Sequence, residues 1–239
     1  MYVIDSAMKT AFINRLATNP NYYFALALPN LSIKHFVDIK FAAVKLYKAG
    51  VPFDNQGVTR QRRMTEEKDV EATLTPFVEK IWKYFNEPAN TQNDQSNFDN
   101  FHETLCDLFL TSFAEAGYHH TYGSAQKITN MLFKYLSCYK DYERFADLFS
   151  YCHIPIDAQI LISFATVYNV PNTQPGKYNN VCWTQMDKET YLALCQDYRD
   201  ALSTIKGNHS WLGSEYYIWA GLDIPDTGTN ARRKRKFHA

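Results

Sequence analysis

The stretch GYHHTYGSAQKITNMLFKYLSCYKDYERFADLFSYCHIPIDAQIL, residues 117–161, is the part of the chain that best indicates its fold. Apolar residues recur in it at helical spacing, and a turn that contains Gly123 precedes the first helix. Lys127 falls on the first turn of that helix. Asp157 follows Pro155, which keeps the preceding backbone extended, so Asp157 is well placed as an N-cap or first-turn carboxylate. The free N–H groups of the helix that begins there stabilise its negative charge.

Outward from this stretch, the helical period continues along most of the chain, and strand-like alternation is scarce. Pro76 falls inside one of the patterns, where we expect a kink or a break. The sequence therefore predicts an all-α protein. The predicted helices cover 6–17, Ser32 (as N-cap) to Gly50, Thr65 to about Phe85, 98–116, Ser124 to about Tyr139, 141–151, Ile156 to Tyr168, about 187–205 and about 211–221.

The predicted helices form a single α-helical domain over residues 1–239. Polar loops at 53–64 and 87–97 are either surface insertions or a boundary between two helical subdomains with a cleft between them. In that division the units are about 1–90 and 98–225, followed by a basic C-terminal tail at 226–239.

Composition excludes several classes of protein. With 239 residues, 46% of them hydrophobic and 21% charged, the chain can bury a core and is not disordered as a whole. No apolar run approaches the ~20 residues of a membrane span, and the N-terminus does not have the pattern of a signal peptide. The five cysteines share no CxxC spacing, so we expect reduced thiols in a cytoplasmic protein, with no metal site and no cofactor.

The charge distribution is uneven. The formal net charge is zero, from 25 basic and 25 acidic residues. Five of the basic residues form the block 232–236, so the rest of the chain has a net charge of −5. A protein that binds the phosphate backbone usually carries a basic surplus. Bulk composition thus argues mildly against nucleic-acid binding, and local basic patches would have to supply the contact.

Two segments resemble the helix-hairpin-helix DNA glycosylases, YGSAQK at 122–127 and IPID at 154–157. In that superfamily a hairpin turn with glycine is followed by a helix that bears a lysine, and later by an apolar-Pro-apolar-Asp segment that opens a helix. Lys127 and Asp157 are 30 residues apart. This separation is similar to that in archaeal 8-oxoguanine glycosylases, where an extra helix, here 141–151, lies between the two residues. The chain departs from the usual Leu-Pro-Gly-apolar-Gly hairpin, because it has one glycine and no proline there.

The resemblance implies that the protein excises a damaged or modified base from DNA. The target nucleotide leaves the duplex, since its glycosidic bond is inaccessible in the stack. The Asp157 carboxylate stabilises the oxocarbenium-like sugar or accepts a proton, and the Lys127 amine attacks C1′ to form a Schiff base, which permits AP lyase activity. Lys134, seven residues further on the same helical face, is a second candidate for the nucleophile. Apart from the resemblance, Lys127 is also interpretable as a surface lysine and Asp157 as a simple helix cap.

Further residues are candidates for binding the extruded base. Gln126 and Asn130 share a helical face at i, i+4, and their amides either read a base edge or form a solvent-facing polar stripe. His153 is either a base contact or a packed histidine. Aromatic residues of the C-terminal third supply flat walls for a base or belong to the core; they are Trp183, Trp211, Tyr216 and Trp219.

The candidates for DNA contact lie at the hairpin and in a basic loop. His119 and His120 either contact phosphate or cap the preceding helix. The arginines of the loop and the 232–236 block either contact phosphate or are exposed to solvent without a partner role. The candidates are His119, His120, Tyr122, Gly123 and Ser124 at the hairpin, and Arg60, Arg62 and Arg63 in the loop.

The resemblance implies double-stranded DNA as the partner, no membrane and a monomer. The substrate is either an oxidised purine such as 8-oxoguanine or a bulkier modified base of the kind that some viruses place in their DNA. Two other functions stay open. One is a non-enzymatic helical interaction module, for which no pocket should join Lys127 to Asp157, and the other is an enzyme acting on a small molecule such as a nucleoside. The geometry around these two side chains separates the hypotheses.

Overall fold

The computed structural model describes residues 4–50, 67–87, 94–158, 160–161, 178, 180–203 and 210–220. The regular secondary structure in these ranges is helical and includes no strand, which confirms the predicted all-α class. The α-helices are α1 (Ser6–Ala17), α2 (Phe36–Lys48), α3 (Glu67–Asn86), α4 (Gln95–Glu115), α5 (Tyr122–Leu136), α6 (Ala146–Ser150), α7 (Lys188–Ser203) and α8 (Trp211–Ala220). Tighter 3₁₀ segments lie at Pro20–Asn30, Tyr142–Phe145 and Trp183–Gln185.

Most predicted helices agree with the structure, and two differences have local causes. Ser32 does not cap α2, because His35 occupies the N-cap position and the Ser32 hydroxyl hydrogen bonds to the Asp141 carboxylate instead. Of the kink or break expected at Pro76, the break does not occur, since α3 continues through the proline. Its neighbour Phe77 is buried in the core, and this packing holds the helix together on both sides of the proline.

Two segments form 3₁₀ helix where the sequence indicated otherwise. The sequence pattern predicts no helix over residues 18–31, yet Pro20–Asn30 is a 3₁₀ helix whose first turn is capped by Asn19, with Oδ1 accepting from the Asn21 N–H at 3.0 Å. The helix predicted at 141–151 is divided between the 3₁₀ segment Tyr142–Phe145 and the short α6.

Helix α5 is the centre of the fold. All fifteen of its residues are buried. It contacts α2, α4 and α7 as well as the 3₁₀ segments Pro20–Asn30 and Trp183–Gln185. A surface helix turns a polar face to water, but a helix covered on every side must pair its polar side chains within the protein.

The core joins the N-terminal and C-terminal parts of the chain. Buried apolar side chains from Ile4 to Ile218 form one hydrophobic cluster. Helix α2 packs on α5, and α3 packs on α4. The division into two subdomains stays a prediction, and the basic tail at 226–239 lies outside the described residues.

The first turn of α5 lies directly against the segment 183–186. The Gly123 N–H donates to the Met186 carbonyl at 2.9 Å, and Thr121 Oγ1 donates to the Thr184 carbonyl at 2.6 Å. A Cβ atom at position 123 would lie 1.8 Å from the Trp183 carbonyl oxygen. The close approach of two backbones therefore requires glycine here, and it places Trp183 beside α5.

We expect Gly123→Ala to lower the free energy of unfolding by about 3 kcal/mol, because the added methyl group overlaps a backbone carbonyl that cannot rotate away. Urea denaturation followed by circular dichroism measures the change. Ser124→Ala adds no atom in the same buried turn and is the control, with an expected loss of about 1 kcal/mol. An equal loss of unfolding free energy in the two variants would show that the 183–186 segment can move away from the added methyl group without further loss of stability.

Candidate active site

The structure brings Lys127 and Asp157 into contact. Lys127 Nζ donates to Asp157 Oδ2 at 2.6 Å. The lysine side chain is 9% exposed and the aspartate side chain 27%. The ammonium is therefore held against its partner and does not extend into bulk solvent. This arrangement differs from the interpretation of Lys127 as a surface lysine.

Asp157 uses its two carboxylate oxygens differently. Oδ1 accepts from the Ile160 N–H at 3.0 Å, in the manner of a helix N-cap, and Oδ2 binds Lys127. Burial raises the pKa of Asp157, but the charge and hydrogen bond of Lys127, the Ile160 N–H and the charge of Lys134 together lower it below its usual value. Asp157 is thus a carboxylate at neutral pH, and it is a cap and an ion-pair partner at once.

Two amides of α5 hold the segment that leads to Asp157. Gln126 Nε2 donates to the Ile156 carbonyl at 2.8 Å, and the Ile156 N–H donates to Gln126 Oε1 at 3.1 Å. Asn130 Nδ2 donates to the Ile154 carbonyl at 2.9 Å. Both amides are fully buried, so the expected solvent-facing stripe is wrong, while their role in reading a base edge stays a prediction. They fix Asp157 opposite Lys127 instead.

A cavity of about 530 Å³ adjoins the ion pair, and both Lys127 and Asp157 line it. Its walls come from parts of the chain that are distant in sequence, including α1, the start of the Pro20–Asn30 segment, α5 and α8. The aromatic lining residues are Phe12, Tyr22, Trp183 and Trp219, and the further polar ones are Asn19, Asn21 and Glu215.

Two of the four predicted aromatic residues belong to the core and not to the cavity lining. Tyr216 is 1% exposed, and its hydroxyl donates to the Lys134 carbonyl at 3.0 Å. Trp211 packs its ring 4.8 Å from the ring of His153 and 4.5 Å from the guanidinium of Arg199. For these residues the core interpretation holds, because their rings fill space between helices.

A second lysine–carboxylate pair lies two turns further along α5. Lys134 Nζ binds Glu215 Oε2, and the two side chains are 0% and 3% exposed. The ammonium also lies 4.2 Å from the ring centre of Phe12. Burial lowers the pKa of Lys134, Glu215 opposes the shift, and the charge of Lys127 adds to it, so that the pKa lies below its usual value. Glu215 itself lines the cavity.

His153 takes part in a buried chain of hydrogen bonds. His102 Nε2–H donates to Asn130 Oδ1 at 2.8 Å, and Asn130 Nδ2 donates to the Tyr191 hydroxyl at 3.0 Å. That hydroxyl donates to His153 Nδ1 at 2.8 Å, and His153 Nε2–H donates to Asp99 Oδ1 at 2.7 Å. The acceptor-only oxygens of Asn130 and Asp99 set this direction. Both ring nitrogens of His153 are engaged, so it is a packed histidine in this structure, and the base contact stays a prediction.

The hairpin residues do not present a free backbone to DNA. Tyr122, Gly123 and Ser124 are buried in the first turn of α5, and the Gly123 N–H is bound to Met186. The 183–186 segment covers this backbone, and its expected contact with phosphate stays a prediction. His120 packs on aromatic rings, including Phe113 at 5.0 Å, while His119 is exposed. The remaining candidates, Arg60, Arg62, Arg63 and the 232–236 block, lie outside the described residues.

Sequence reasoning missed the N-terminal wall of the cavity and one of its acids. Phe12 and Tyr22 precede α5 by about 100 residues, and nothing local marks them as site residues. Glu215 did have a signal, because it is the one acid in the apolar stretch WLGSEYYIWA at 211–220. A buried carboxylate requires a cationic partner, and Lys134 has that role.

We expect the free energy of unfolding to fall as the pH is lowered below about 6.5. Burial lowers the pKa of His102, His120 and His153, the pKa of His120 from 6.5 to about 4, so the unfolded chain binds protons that the folded protein does not. Between about pH 7.5 and about pH 5 the loss should be at least ~2 kcal/mol in urea denaturation. The control is His35→Gln, which removes an exposed histidine and should leave the pH dependence of the free energy of unfolding unchanged. A free energy of unfolding that does not change with pH would contradict the burial of the three rings.

No protein-family model, curated protein or solved structure matches this chain. No helix within the described ranges has both the length and the hydropathy that a bilayer crossing requires.

Proposed function

We propose that the protein is a DNA glycosylase that excises a damaged or modified base from double-stranded DNA, with a lysine-dependent AP lyase step. The observation that carries this proposal is the 2.6 Å contact between Lys127 and Asp157 on the wall of a cavity. The resemblance of segments 122–127 and 154–157 to helix-hairpin-helix glycosylases supports it, and we propose a fold of that type with a cleft between two helical subdomains.

The cavity suits a flat ligand with polar edges. Its volume of about 530 Å³ falls within the ~300–1,000 Å³ that is common for small-ligand sites. Aromatic rings such as Trp183 and Trp219 offer apolar walls against which a base can stack. Asn19, Asn21 and Glu215 offer hydrogen-bonding groups, which a base extruded from the duplex needs in place of its pairing partner.

Asp157 is suited to stabilise positive charge on the sugar. When the C1′–N bond breaks, the electron pair leaves with the base and positive charge develops on the ring. A carboxylate held in place before the reaction stabilises that charge without reorganising. Asp157 fulfils this condition, since its pKa is lowered and both of its oxygens are fixed by hydrogen bonds.

Lys127 is the nucleophile that we assign to the covalent step. The C1′–N bond breaks while Asp157 is a carboxylate, and the departing base anion takes a proton from the Lys127 ammonium. The lone pair that this leaves on Nζ then forms the bond to C1′ of the positively charged sugar. Loss of a further proton from Nζ and opening of the sugar ring, with a proton added to O4′, then give the Schiff base from which the strand is cleaved.

Lys134 is the alternative nucleophile. Its lowered pKa favours the neutral amine that the attack requires. We prefer Lys127, because it lines the cavity, whereas the side chain of Lys134 is fully buried against Glu215 and aromatic rings.

The two other functions lead to different expectations. If the protein were an interaction module, no pocket should join Lys127 to Asp157. The cavity that both residues line argues against this function. An enzyme that acts on a nucleoside would use the same cavity. An assay distinguishes it from a DNA glycosylase, since it would cleave the free nucleoside as readily as DNA. Within the glycosylase proposal, the base is an oxidised purine or a bulkier modified base.

We expect borohydride to trap a covalent adduct between the wild-type protein and duplexes from a panel with 8-oxoguanine and hypermodified cytosines. Lys127→Gln should give no adduct, because the nucleophilic nitrogen is absent, and Lys140→Gln, at an exposed lysine, should give the wild-type yield. Gel electrophoresis of the labelled strand measures the adduct. An adduct that persists in Lys127→Gln and disappears in Lys134→Gln would move the nucleophile to Lys134, and no adduct on any duplex would contradict the lyase step.

We expect Asp157→Asn to slow base release by about 100-fold or more while the protein stays folded. The amide oxygen can still accept from the Ile160 N–H, so the helix cap is retained, but the charge is lost. Single-turnover base release and thermal unfolding are the two measurements. Asp147→Asn, at an exposed carboxylate, is the control. Unchanged base release in Asp157→Asn would remove this residue from the mechanism.

A further inference from the structure

The segment that leads to Asp157 has no regular secondary structure. Residues 152–157 are irregular and lie between α6 and the helical turn that Asp157 caps. Because such a segment has no internal ladder of hydrogen bonds, its polar groups are paired by other parts of the protein. The geometry of the Lys127–Asp157 pair therefore depends on the groups that hold this segment.

Two helices besides α5 hold the segment. The amides of α5 bind the backbone at Ile154 and Ile156. A further anchor is the side chain of His153, which is 1% exposed. Its ring nitrogens bind Asp99 on α4 and Tyr191 on α7. The segment is thus tied to α4 and α7 four residues before the carboxylate of the site.

The Asp99 carboxylate is fixed and charged. Its Oδ1 accepts from His153 Nε2–H at 2.7 Å and from Gln95 Nε2 at 2.8 Å, and its Oδ2 accepts from Arg199 Nη1 at 2.7 Å. Burial raises the pKa of Asp99, but its three partners together lower it to about 2. Asp99 can therefore only accept hydrogen bonds, so the His153 nitrogen that faces it must carry a hydrogen.

His153 consequently has one tautomer. Burial lowers the pKa of the ring, Asp99 opposes the shift and the charge of Arg199 adds to it, so the pKa lies below its usual value and the ring is neutral at neutral pH. A neutral imidazole carries one hydrogen, and Asp99 binds it at Nε2. Nδ1 keeps its lone pair, which accepts from the Tyr191 hydroxyl at 2.8 Å.

The rest of the chain of hydrogen bonds requires this tautomer. The Tyr191 oxygen accepts from Asn130 Nδ2 at 3.0 Å, and the same nitrogen donates to the Ile154 carbonyl at 2.9 Å. A hydrogen on His153 Nδ1 would place a second donor against the Tyr191 oxygen and would take the acceptor from the hydroxyl hydrogen. An unpaired buried donor costs free energy, so this contact would open. The choice of tautomer by Asp99 is therefore transmitted to the irregular segment.

We propose that Asp99 and His153 are positioning residues that fix this segment from α4 and α7 and so hold Asp157 in place. The residues that line the cavity include Asp157 but neither of these two, so both act from behind the site. The inference rests on the proposed function for the reaction that it serves, whereas the position of Asp157 can be observed in the free protein. Displacement of a reacting group by ~1 Å is enough to slow a reaction strongly.

The alternative is a polar cluster that only stabilises the core. The rings of His102 and Trp211 lie 4.3 Å and 4.8 Å from the ring of His153 and pack it on the inside of the protein. Loss of such a cluster would lower the free energy of unfolding and leave the pair of Lys127 and Asp157 unchanged in the folded protein. The test therefore needs readouts that stability alone does not change.

The first experiment observes the full chain by NMR at neutral pH, with isotope-labelled nitrogen in histidine and lysine. We expect His153 to carry its hydrogen on Nε2 in the wild type and to lose this preference in Asp99→Asn, because an amide can either accept from the ring or donate to it. The ammonium signal of Lys127, assigned by its absence in Lys127→Gln, should broaden in Asp99→Asn, since hydrogens that lose their carboxylate partner exchange faster with water. The Lys134 signal should stay and shows that the protein is folded.

The second experiment measures single-turnover base release from duplexes with 8-oxoguanine or hypermodified cytosines. We expect Asp99→Asn to slow release about ten- to hundredfold and to change duplex affinity by no more than about twofold, because the carboxylate moves while the cavity wall stays. His153→Leu should behave in the same way. His153→Gln should stay within about fivefold of the wild type, since its amide oxygen can accept from Tyr191 and its amide N–H can donate to Asp99.

Asp141→Asn is the matched control. It also replaces a half-buried carboxylate that accepts from a buried side chain, here the Ser32 hydroxyl, and it lies beyond the C-terminal end of α5. It should keep the wild-type rate and the wild-type Lys127 signal. Tyr191→Phe removes only the hydroxyl from the chain and takes the place of Asp99→Asn if that variant does not fold. An unchanged Lys127 signal in the folded variant would overturn the proposal.

The positioning role and the proposed excision fail independently. If the wild type releases no base from any duplex, the excision fails, and a broadened Lys127 signal in Asp99→Asn still supports the positioning role. If the wild type releases a base and folded Asp99→Asn releases it at the same rate, the excision stands and the positioning role is overturned.

Discussion

Helix α5 lies inside the protein along its whole length, so every polar side chain on it must find a partner within the protein. Gln126 and Asn130 satisfy this condition by binding the backbone of 154–156, and Lys127 and Lys134 satisfy it by binding carboxylates. These requirements bring the segment before Asp157, and then Asp157 itself, onto α5. The site is therefore a consequence of covering a polar helix with the rest of the protein.

The two lysine pairs on α5 differ in their access to the cavity. Lys134 and Glu215 are almost completely buried, whereas Asp157, the partner of Lys127, keeps 27% of its side chain exposed. Buried ion pairs contribute little to stability in comparison with apolar residues of the same volume, because desolvation offsets the attraction between the charges. A protein that was selected for stability alone has no need of two such pairs around one cavity. In the glycosylase that we propose, Lys127 and Asp157 have a chemical role, which accounts for the pair with the more exposed partner.

The chain as a whole has a net charge of zero, but its N-terminal segment, residues 4–50, has a net charge of +4 and the remainder has a net charge of −4. The N-terminal segment forms one wall of the cavity. The hairpin glycine, by contrast, is occupied in an internal contact, with its N–H bound to Met186.

The sequence by itself determined the helical class and the bounds of α1, and it singled out Lys127 and Asp157, which the structure brings into contact, because helical periodicity, proline and capping patterns act over a few residues. Only the tertiary structure decided that Gln126 and Asn130 face inward, that Ser32 binds Asp141, and that Phe12 and Tyr22 form a wall of the cavity. A polar residue on a helix is expected to face water, and the pattern along one helix does not reveal that other elements cover it on all sides. Contacts between residues about 100 positions apart depend on how whole helices pack, and that packing is set by the sum of many buried side chains and not by any local motif.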